Sequence, residues 1–467
     1  MNNLLTVLCA LAMVLAAGVS YGDPAVHLEL CYATSVNMPE SEYGPENVFD
    51  NDTTTCWATM PGAAPDEGLY FSFEEPVDIR SIIVSTVPGS DEFEEIEYYQ
   101  LYINGIEGAD WHSGGSPVWI DSPVKTVFIR IDHTVTMEWG GDGMNYTGDL
   151  PVGISEVVLL VTDDEGNGVP LRIMPVREVG GTVEASSSLE PVEAYCTDFL
   201  FDSRPAFGWA DGNVDDSGPG ESLTFHFDQP QRIEKIKIWN GYHRSESHYI
   251  QNERIKAFSI GSSGEDSPVY RLEDSMEPHV ITLETPLEGR SLTLDVLDVY
   301  ESGVYRDLVV SELRFFDGEE WFVIDSGGSD ARKLAVLQWA RGNPAGSFID
   351  KQLCLNHSSE EEWDWYSQTL VIRSNGSFVL WKTHEDSDGE EKVYADGNWQ
   401  ILGDDALRIF GRLQRVGRYG MDPYDPYAGS WPDQGQDVER MTIFSDTLHF
   451  EEGRVSSARG LFEDFTF

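Results

Sequence analysis

Asp50, Asp52 and Thr55 crowd one short stretch, Asp50-Asn51-Asp52-Thr53-Thr54-Thr55. Calcium takes about 6–8 oxygen ligands at roughly 2.3–2.6 Å. A tight turn built from Asp, Asp and Thr can supply side-chain and carbonyl oxygens together. A distant glutamate on a later strand, Glu156, can complete the shell. The expected chemistry is therefore a calcium site made of Asp50, Asp52, Thr55 and Glu156. The same residue types also favour a hydrogen-bonded turn without metal, and the two readings stand side by side.

A second cluster suits sugars. Sugars present apolar C–H faces and a rim of hydroxyls, so they call for exposed aromatics beside planar hydrogen-bonding groups. Trp239, Asn240, Tyr242, His243, Arg244 and Tyr249 fall within one passage from an apolar run into a loop. Trp239 reads as core. Tyr242, His243, Arg244 and Tyr249 are the candidate ligand contacts. Earlier in the chain, Trp111, His112 and Trp139 lie in Gly-rich stretches, and Trp111 and Trp139 are further candidates.

These residues need a scaffold of short strands. Of 467 residues, 12% are aromatic, 44 are Gly and 23 are Pro, a mix that favours strands and turns over long helices. Period-2 patterns mark strands at 69–73, 79–84, 98–103, 127–131 and 157–161. A second set lies at 223–227, 233–239, 255–260, 280–283, 292–297 and 308–316. Both sets share local order: an Asp-rich turn ending in Trp (Asp50 to Trp57, Asp202 to Trp209), an acidic or polar Pro turn, and a closing Ser-Glu (Ser155-Glu156, Ser311-Glu312). That is a duplication of about 150 residues. Residues 166–184 and 318–330 read as connectors, and Ser329 as the cap of a helix over 330–341. The last segment has a hairpin signal at Asn375-Gly376 and reads as a small meander, lipocalin-like if it closes. Two aromatic runs there, Trp363-Asp364-Trp365-Tyr366 and the loop from Tyr419 to Trp431, are possible binding surfaces or barrel covers.

The stretch Pro45-Glu46-Asn47-Val48-Phe49-Asp50-Asn51-Asp52-Thr53-Thr54-Thr55-Cys56-Trp57-Ala58-Thr59 resembles the opening signature of the discoidin, or coagulation factor 5/8 type C, superfamily. The resemblance implies a jelly-roll-like β-sandwich that often binds glycans through its loops. The second segment is more similar to one branch, the NADase-type glycan-binding domain. That likeness rests on Ile238-Trp239-Asn240-Gly241-Tyr242, Tyr249, Asn252-Glu253-Arg254-Ile255-Lys256, Leu272 to Pro278, Asp298-Val299-Tyr300, Tyr305-Arg306-Asp307 and Ser311-Glu312-Leu313. The expected fold is all-β: two tandem discoidin-like jelly-roll sandwiches at 23–165 and 185–317, then a β-rich domain at 345–467. The second Asp-rich turn departs from the first. Arg204 stands where Asp52 does, and Phe207 where Thr55 does. A cation beside Arg204 would be repelled, which makes calcium doubtful there. An Arg204 ion pair with Asp202 or Glu312 could take its place.

Charge and cysteines bound the function. The net charge is −52, with 30 Lys plus Arg against 82 Asp plus Glu. Nucleic-acid phosphates and anionic lipid surfaces both call for basic residues, so neither is expected as a partner. Residues 1–22 read as a signal peptide, with an apolar run from Leu4 to Val19 and small residues before Asp23. Export, to the periplasm or the medium, is expected. Cys31 and Cys56 are then the one plausible disulfide pair. Cys196 and Cys354 read as lone buried thiols. No nucleophile elbow, phosphate-cradling Gly loop or zinc-ligand spacing is present. The expected function is a non-catalytic, secreted protein that binds carbohydrate or a cell surface. The alternative is an extracellular hydrolase whose catalytic site lies in the C-terminal third, with the sandwiches as targeting modules.

Overall fold

The computed structural model describes residues 25–63, 66–108, 110–135, 137–140, 143–146, 148–163, 165–213, 218–261, 267–359, 364–386, 389–403, 405–419, 437–451, 454–462 and 465–466. The chain divides, residues 140–143 aside, into one compact unit ending at Val176 and another beginning at Arg177. Both are β structures. Among the described residues, no helix is long and apolar enough to cross a membrane. The first 22 residues, Trp363 and residues 420–431 lie outside the described residues.

The first unit is a two-sheet sandwich. One sheet contains Val26–Ala33, Gly68–Val77, Val124–Thr134 and Ile96–Ile103 in that spatial order. The other is centred on Gly153–Thr162, paired antiparallel with Ser81–Thr86. Period-2 alternation drives the inner faces together: Leu69, Phe71, Phe73, Val127, Ile129, Ile131, Ile82, Val84 and Leu159 share one core. Apolar side chains removed from water on both inner faces hold the layers together.

The second unit begins with its own sandwich, and two of its strands are longer than the sequence pattern implies. Ser222–Asn240 and His279–Tyr300 each run through what read as a turn. The first pairs with Arg177–Ala185 over residues 223–227 and with Val309–Phe316 over 235–240, and its ladder with His279–Tyr300 shifts register between His226 and Gln231. A strand that bends this way serves both layers and forms a corner of the sandwich. The connector expected at 166–184 is also revised. Arg177–Ala185 is a strand, antiparallel to Ser222–Asn240 and parallel to Trp321–Asp325. Its alternation (Val179, Gly181, Val183) is broken by the Gly180-Gly181 pair, which hid it. His226 O would lie 2.3 Å from a Cβ at Gly181, so only Gly fits there.

The duplication is written in matched hydrogen bonds 152 residues apart. Trp57 Nε1 donates to Ser35 O at 2.9 Å, and Trp209 Nε1 donates to Ser187 O at 2.9 Å. The Met60 amide donates to Ser35 Oγ, and the Gly212 amide to Ser187 Oγ, both at 2.9 Å. Both tryptophans are fully buried, so each indole N–H needs this partner. Asn51 and Ser203 both hold positive φ, 62° and 58°, which shapes the two Asp-rich turns alike.

Helix Gly328–Ala340 follows. Its N-cap is Gly327 in the left-handed region, without a side-chain cap, so the Ser329 cap is not formed. The C-terminal part is one sheet of eight sequential strands from Gln352–Ser359 to Phe465–Thr466. The Asn375-Gly376 hairpin forms as expected, with Ile372 opposite Phe378 and Gly376 at φ 86°. Among the described residues no ladder joins the first strand to the last, although the two strands lie in contact.

No disulfide joins Cys31 to Cys56. Cys31 fills a core position on its strand and Cys56 is buried beside Trp57. Each packs as a small apolar group, and burial pushes the Cys56 thiol up to about 11. Cys196 is half-buried and Cys354 is exposed, not buried as expected.

Candidate functional site

The first Asp-rich turn is held by its own side chains. Asp50 Oδ1 accepts the Asp52 amide at 2.7 Å, and Asp50 Oδ2 accepts the Thr55 hydroxyl at 2.7 Å. Asp52 Oδ1 accepts both the amide and the hydroxyl of Thr54, which lowers the Asp52 pKa. Glu156 reaches this turn from the Gly153–Thr162 strand. It is 5% exposed, and its Oε2 has no hydrogen-bond partner. Burial first, then the charge of Asp50, raises its pKa to about 8; Asp52 adds to the rise and a backbone hydrogen bond from Asn51 opposes it. Among the described residues, no three His, Cys, Asp or Glu side chains already stand as a metal cluster. What the turn does offer is an orphaned buried carboxylate oxygen beside two aspartates. Such an oxygen carries an uncompensated desolvation cost, which a hard cation could relieve.

The second turn solves the same problem differently. Glu312, equivalent to Glu156, is completely buried. Its Oε1 accepts the Ser203 amide at 3.1 Å. Desolvation and Asp202 push its pKa well up, while Arg314 pulls it down. Arg314 is the buried cation of this site. It lies two residues along the same strand, its Nη2 donates to Ser203 Oγ at 2.8 Å, and it lies 5.4 Å from the Trp239 ring. The sequence pointed to Arg204, paired with Asp202 or Glu312; the Arg204 amide does donate to Asp202 Oδ1 at 2.9 Å, while the charge that lowers the Glu312 pKa is Arg314. The Arg204 guanidinium stacks 4.4 Å over Phe207. Arg314 was missed because it sits on a strand of apolar residues, 111 positions from Ser203.

Residues 177–316 match the family model of the NAD glycohydrolase translocation F5/8 type C domain. The match starts eight residues before the expected boundary at 185, where the Arg177–Ala185 strand begins. Among solved structures, the chain is similar to the family 32 CBM of C. perfringens NanJ in complex with galactose. That likeness has 15% identity over 29% of this chain and 92% of that one, with a TM-score of 0.23. The tandem CBM32-1 and CBM32-2 domains of Clostridium perfringens ZmpB align at 12% identity, covering 62% of this chain and 92% of theirs, TM-score 0.23. The arabinofuranosyltransferase AftD from Mycobacteria aligns at 11% identity over 92% of this chain and 42% of that one, TM-score 0.24. A search of curated proteins gave no match.

The aromatic cluster of the second sandwich is not an exposed platform. Tyr242, Arg244 and Tyr249 are each buried. Tyr249 donates its hydroxyl to Asp274 at 3.0 Å and packs edge-on against His243. His243 Nε2 lies 3.1 Å from the Asn240 carbonyl, and desolvation lowers its pKa to about 4. Trp239 is core, as its strand position implied. Tyr242 and Arg244 instead wall a cleft against the C-terminal sheet.

The first sandwich carries the exposed aromatic. Trp111 is 60% exposed. Its ring centroid lies 6.3 Å from Tyr98 and 5.2 Å from His133. Tyr98 and His133 are cross-strand partners, and the register shifts on both sides of Tyr98. Strict alternation from Ile129 and Ile131 would turn His133 inward. The bulge turns it toward Trp111 instead. His133 pairs with Asp132, and Asp132 with Arg130 at 3.1 Å. Gln100 Oε1 accepts from Arg130 at 2.6 Å. A polar chain, His133–Asp132–Arg130–Gln100, thus runs along the sheet from the ring that backs Trp111. Of the sequence candidates here, Trp111 is exposed. His112 bonds its backbone to Tyr99. Trp139 falls in the strand Met137–Gly140, with its side chain outside the described residues.

Proposed function

We propose that this chain is a non-catalytic carbohydrate-binding protein of the cell exterior. It docks a sugar ring on Trp111, and calcium braces the Asp50 turn of the same sandwich. The observation that carries the reading is the Trp111 face: one large exposed ring, backed by Tyr98 and His133, with the His133–Asp132 pair beside it. A hexose stacks its C–H face on such a ring and spends its hydroxyls on the planar groups beside it. Because the rings are already packed together, little side-chain entropy is lost on binding. The family matched by the second sandwich is described by a translocation role, which also suits an accessory module. Asp50, Asp52, Thr55 and Glu156 are the residues that would hold calcium. Its contribution would be charge neutralisation at Glu156 and a stiffened loop.

A glycan array probed with the full chain tests the binding claim. We expect a defined set of neutral glycans to bind, and Trp111→Ala to weaken that binding at least tenfold, about 1.4 kcal/mol, with an unchanged melting temperature. Binding that persists in Trp111→Ala would refute the site.

A further inference from the structure

We infer that the cleft between the second sandwich and the C-terminal sheet, walled by Tyr195, Tyr242, Asp307, Arg408, Phe410 and Arg459, binds an acidic sugar: a glycan end bearing a carboxylate. This site is independent of the Trp111 face and takes a different class of ligand.

The cleft measures about 390 Å³, within the usual range for small-ligand sites of about 300–1,000 Å³. Its walls are fixed to one another. Arg244 donates to the Ala206 carbonyl at 3.0 Å and to Asn398 of the C-terminal sheet. Arg412 holds Asp396 through two contacts, at 2.6 and 3.1 Å, and returns to the Arg244 carbonyl at 3.3 Å. The Tyr195 and Phe410 rings meet across the boundary at 6.3 Å. A cleft so braced is preorganised.

Its charge runs against the rest of the molecule. The chain has 82 acidic and 30 basic residues, yet among the described residues the lining has three arginines and one carboxylate, Asp307. Arg244 is spent on the bracing. Arg408 uses Nε on Ser445 at 2.9 Å, which leaves its two terminal nitrogens. Arg459 makes no side-chain hydrogen bond among the described residues. Guanidinium forks match a planar carboxylate. The net field of the protein, and Asp307 within the cleft, disfavour a doubly charged phosphate. The hydroxyls of Tyr195 and Tyr242 have no hydrogen-bond partner among the described residues, although Tyr242 is only 5% exposed. Both hydroxyls lie where sugar hydroxyls would satisfy them, and the rings of Tyr195 and Phe410 supply the apolar face.

The test is an array of glycans ending in uronic or sialic acid, each beside its neutral counterpart. It is read with the full chain, with Arg408→Gln/Arg459→Gln, and with Trp111→Ala. Both arginines are exposed, so the double variant should fold, and its melting curve confirms this. We expect at least one acid-ended glycan to bind at least tenfold better than its neutral partner. That preference should disappear in the arginine double variant, survive in Trp111→Ala, and weaken with added salt. Three results would each overturn the inference: no preference for acid-ended glycans, a preference unchanged in the arginine double variant, or a preference lost only in Trp111→Ala.

Discussion

Arg314→Met should destabilise the second unit by about 1–3 kcal/mol, the usual cost of leaving a buried polar group without a compensating partner. The reason is Glu312. It is fully buried, with one oxygen on the Ser203 amide and the other without a partner. Arg314 is the cation that lowers its pKa against desolvation and Asp202. Without Arg314 the carboxyl holds its proton to still higher pH. The Glu312 pKa is already raised in the folded state, so its contribution is fully present below the ordinary value of 4.5 and is lost as pH rises. Arg314→Met raises the folded pKa further, so its added penalty appears only as pH climbs through the parent's own folded pKa. Denaturant melts across an alkaline pH series, with pH 5 as the baseline, check this. A loss that grows toward the alkaline end, and that stays flat in Glu312→Gln/Arg314→Met, is expected. A loss that does not change across the whole series would mean that Arg314 acts by packing and hydrogen bonding alone.

Glu156→Gln should have the opposite effect in the first unit. Glu156 has a pKa of about 8 in the folded protein, against an ordinary value of 4.5. Its unfavourable ionisation is therefore absent below that ordinary value, grows as pH rises, and is complete above the folded pKa. Each tenfold change in proton affinity is worth about 1.4 kcal/mol. Discounted for solvent screening, the penalty in mildly alkaline solution is on the order of 2 kcal/mol. Calcium held by Asp50, Asp52, Thr55 and Glu156 would cancel it. Calcium is therefore expected to raise the melting temperature of the first unit's transition in the full chain, more at pH 8 than at pH 5. Glu156→Gln should be more stable than the parent at pH 8 in chelator, and should gain little from calcium. A calcium increment that is the same at both pH values, or that survives Glu156→Gln, would remove the metal from this turn.

How much of this was legible in the sequence depended on distance along the chain. The Asp-rich turns were legible because their partners lie within a few residues. The duplication was legible too, since Trp57 and Trp209 recur with the same neighbours. The bent strands were not. Gln229-Pro230 is an ordinary turn signal, and only pairing with two different neighbours shows that the chain runs on as a strand. Arg314 and Glu312 alternate on one strand, but the need for a cation arises from Asp202 and Ser203 more than a hundred residues away. Trp111 could be named from its Gly-rich surroundings. Its supports Tyr98 and His133 could not, because a bulge reverses the parity that alternation assigns to them. The cleft was beyond reach for the same reason: Tyr242 and Arg244 gain Arg408, Phe410 and Arg459 from a sheet that begins a hundred residues later.

Two exposed tryptophans on the first sandwich provide the most direct test of the central claim. Trp111 is 60% and Trp119 63% exposed, and Trp119 stacks under Arg80 at 5.3 Å, away from the proposed face. Oxidative footprinting read by mass spectrometry, with and without a neutral glycan bound in the array, reports both in one experiment. Bound glycan is predicted to protect Trp111 several-fold and to leave Trp119 unchanged. Bound glycan with Trp111 oxidised as fast as in its absence would contradict sugar stacking on this face.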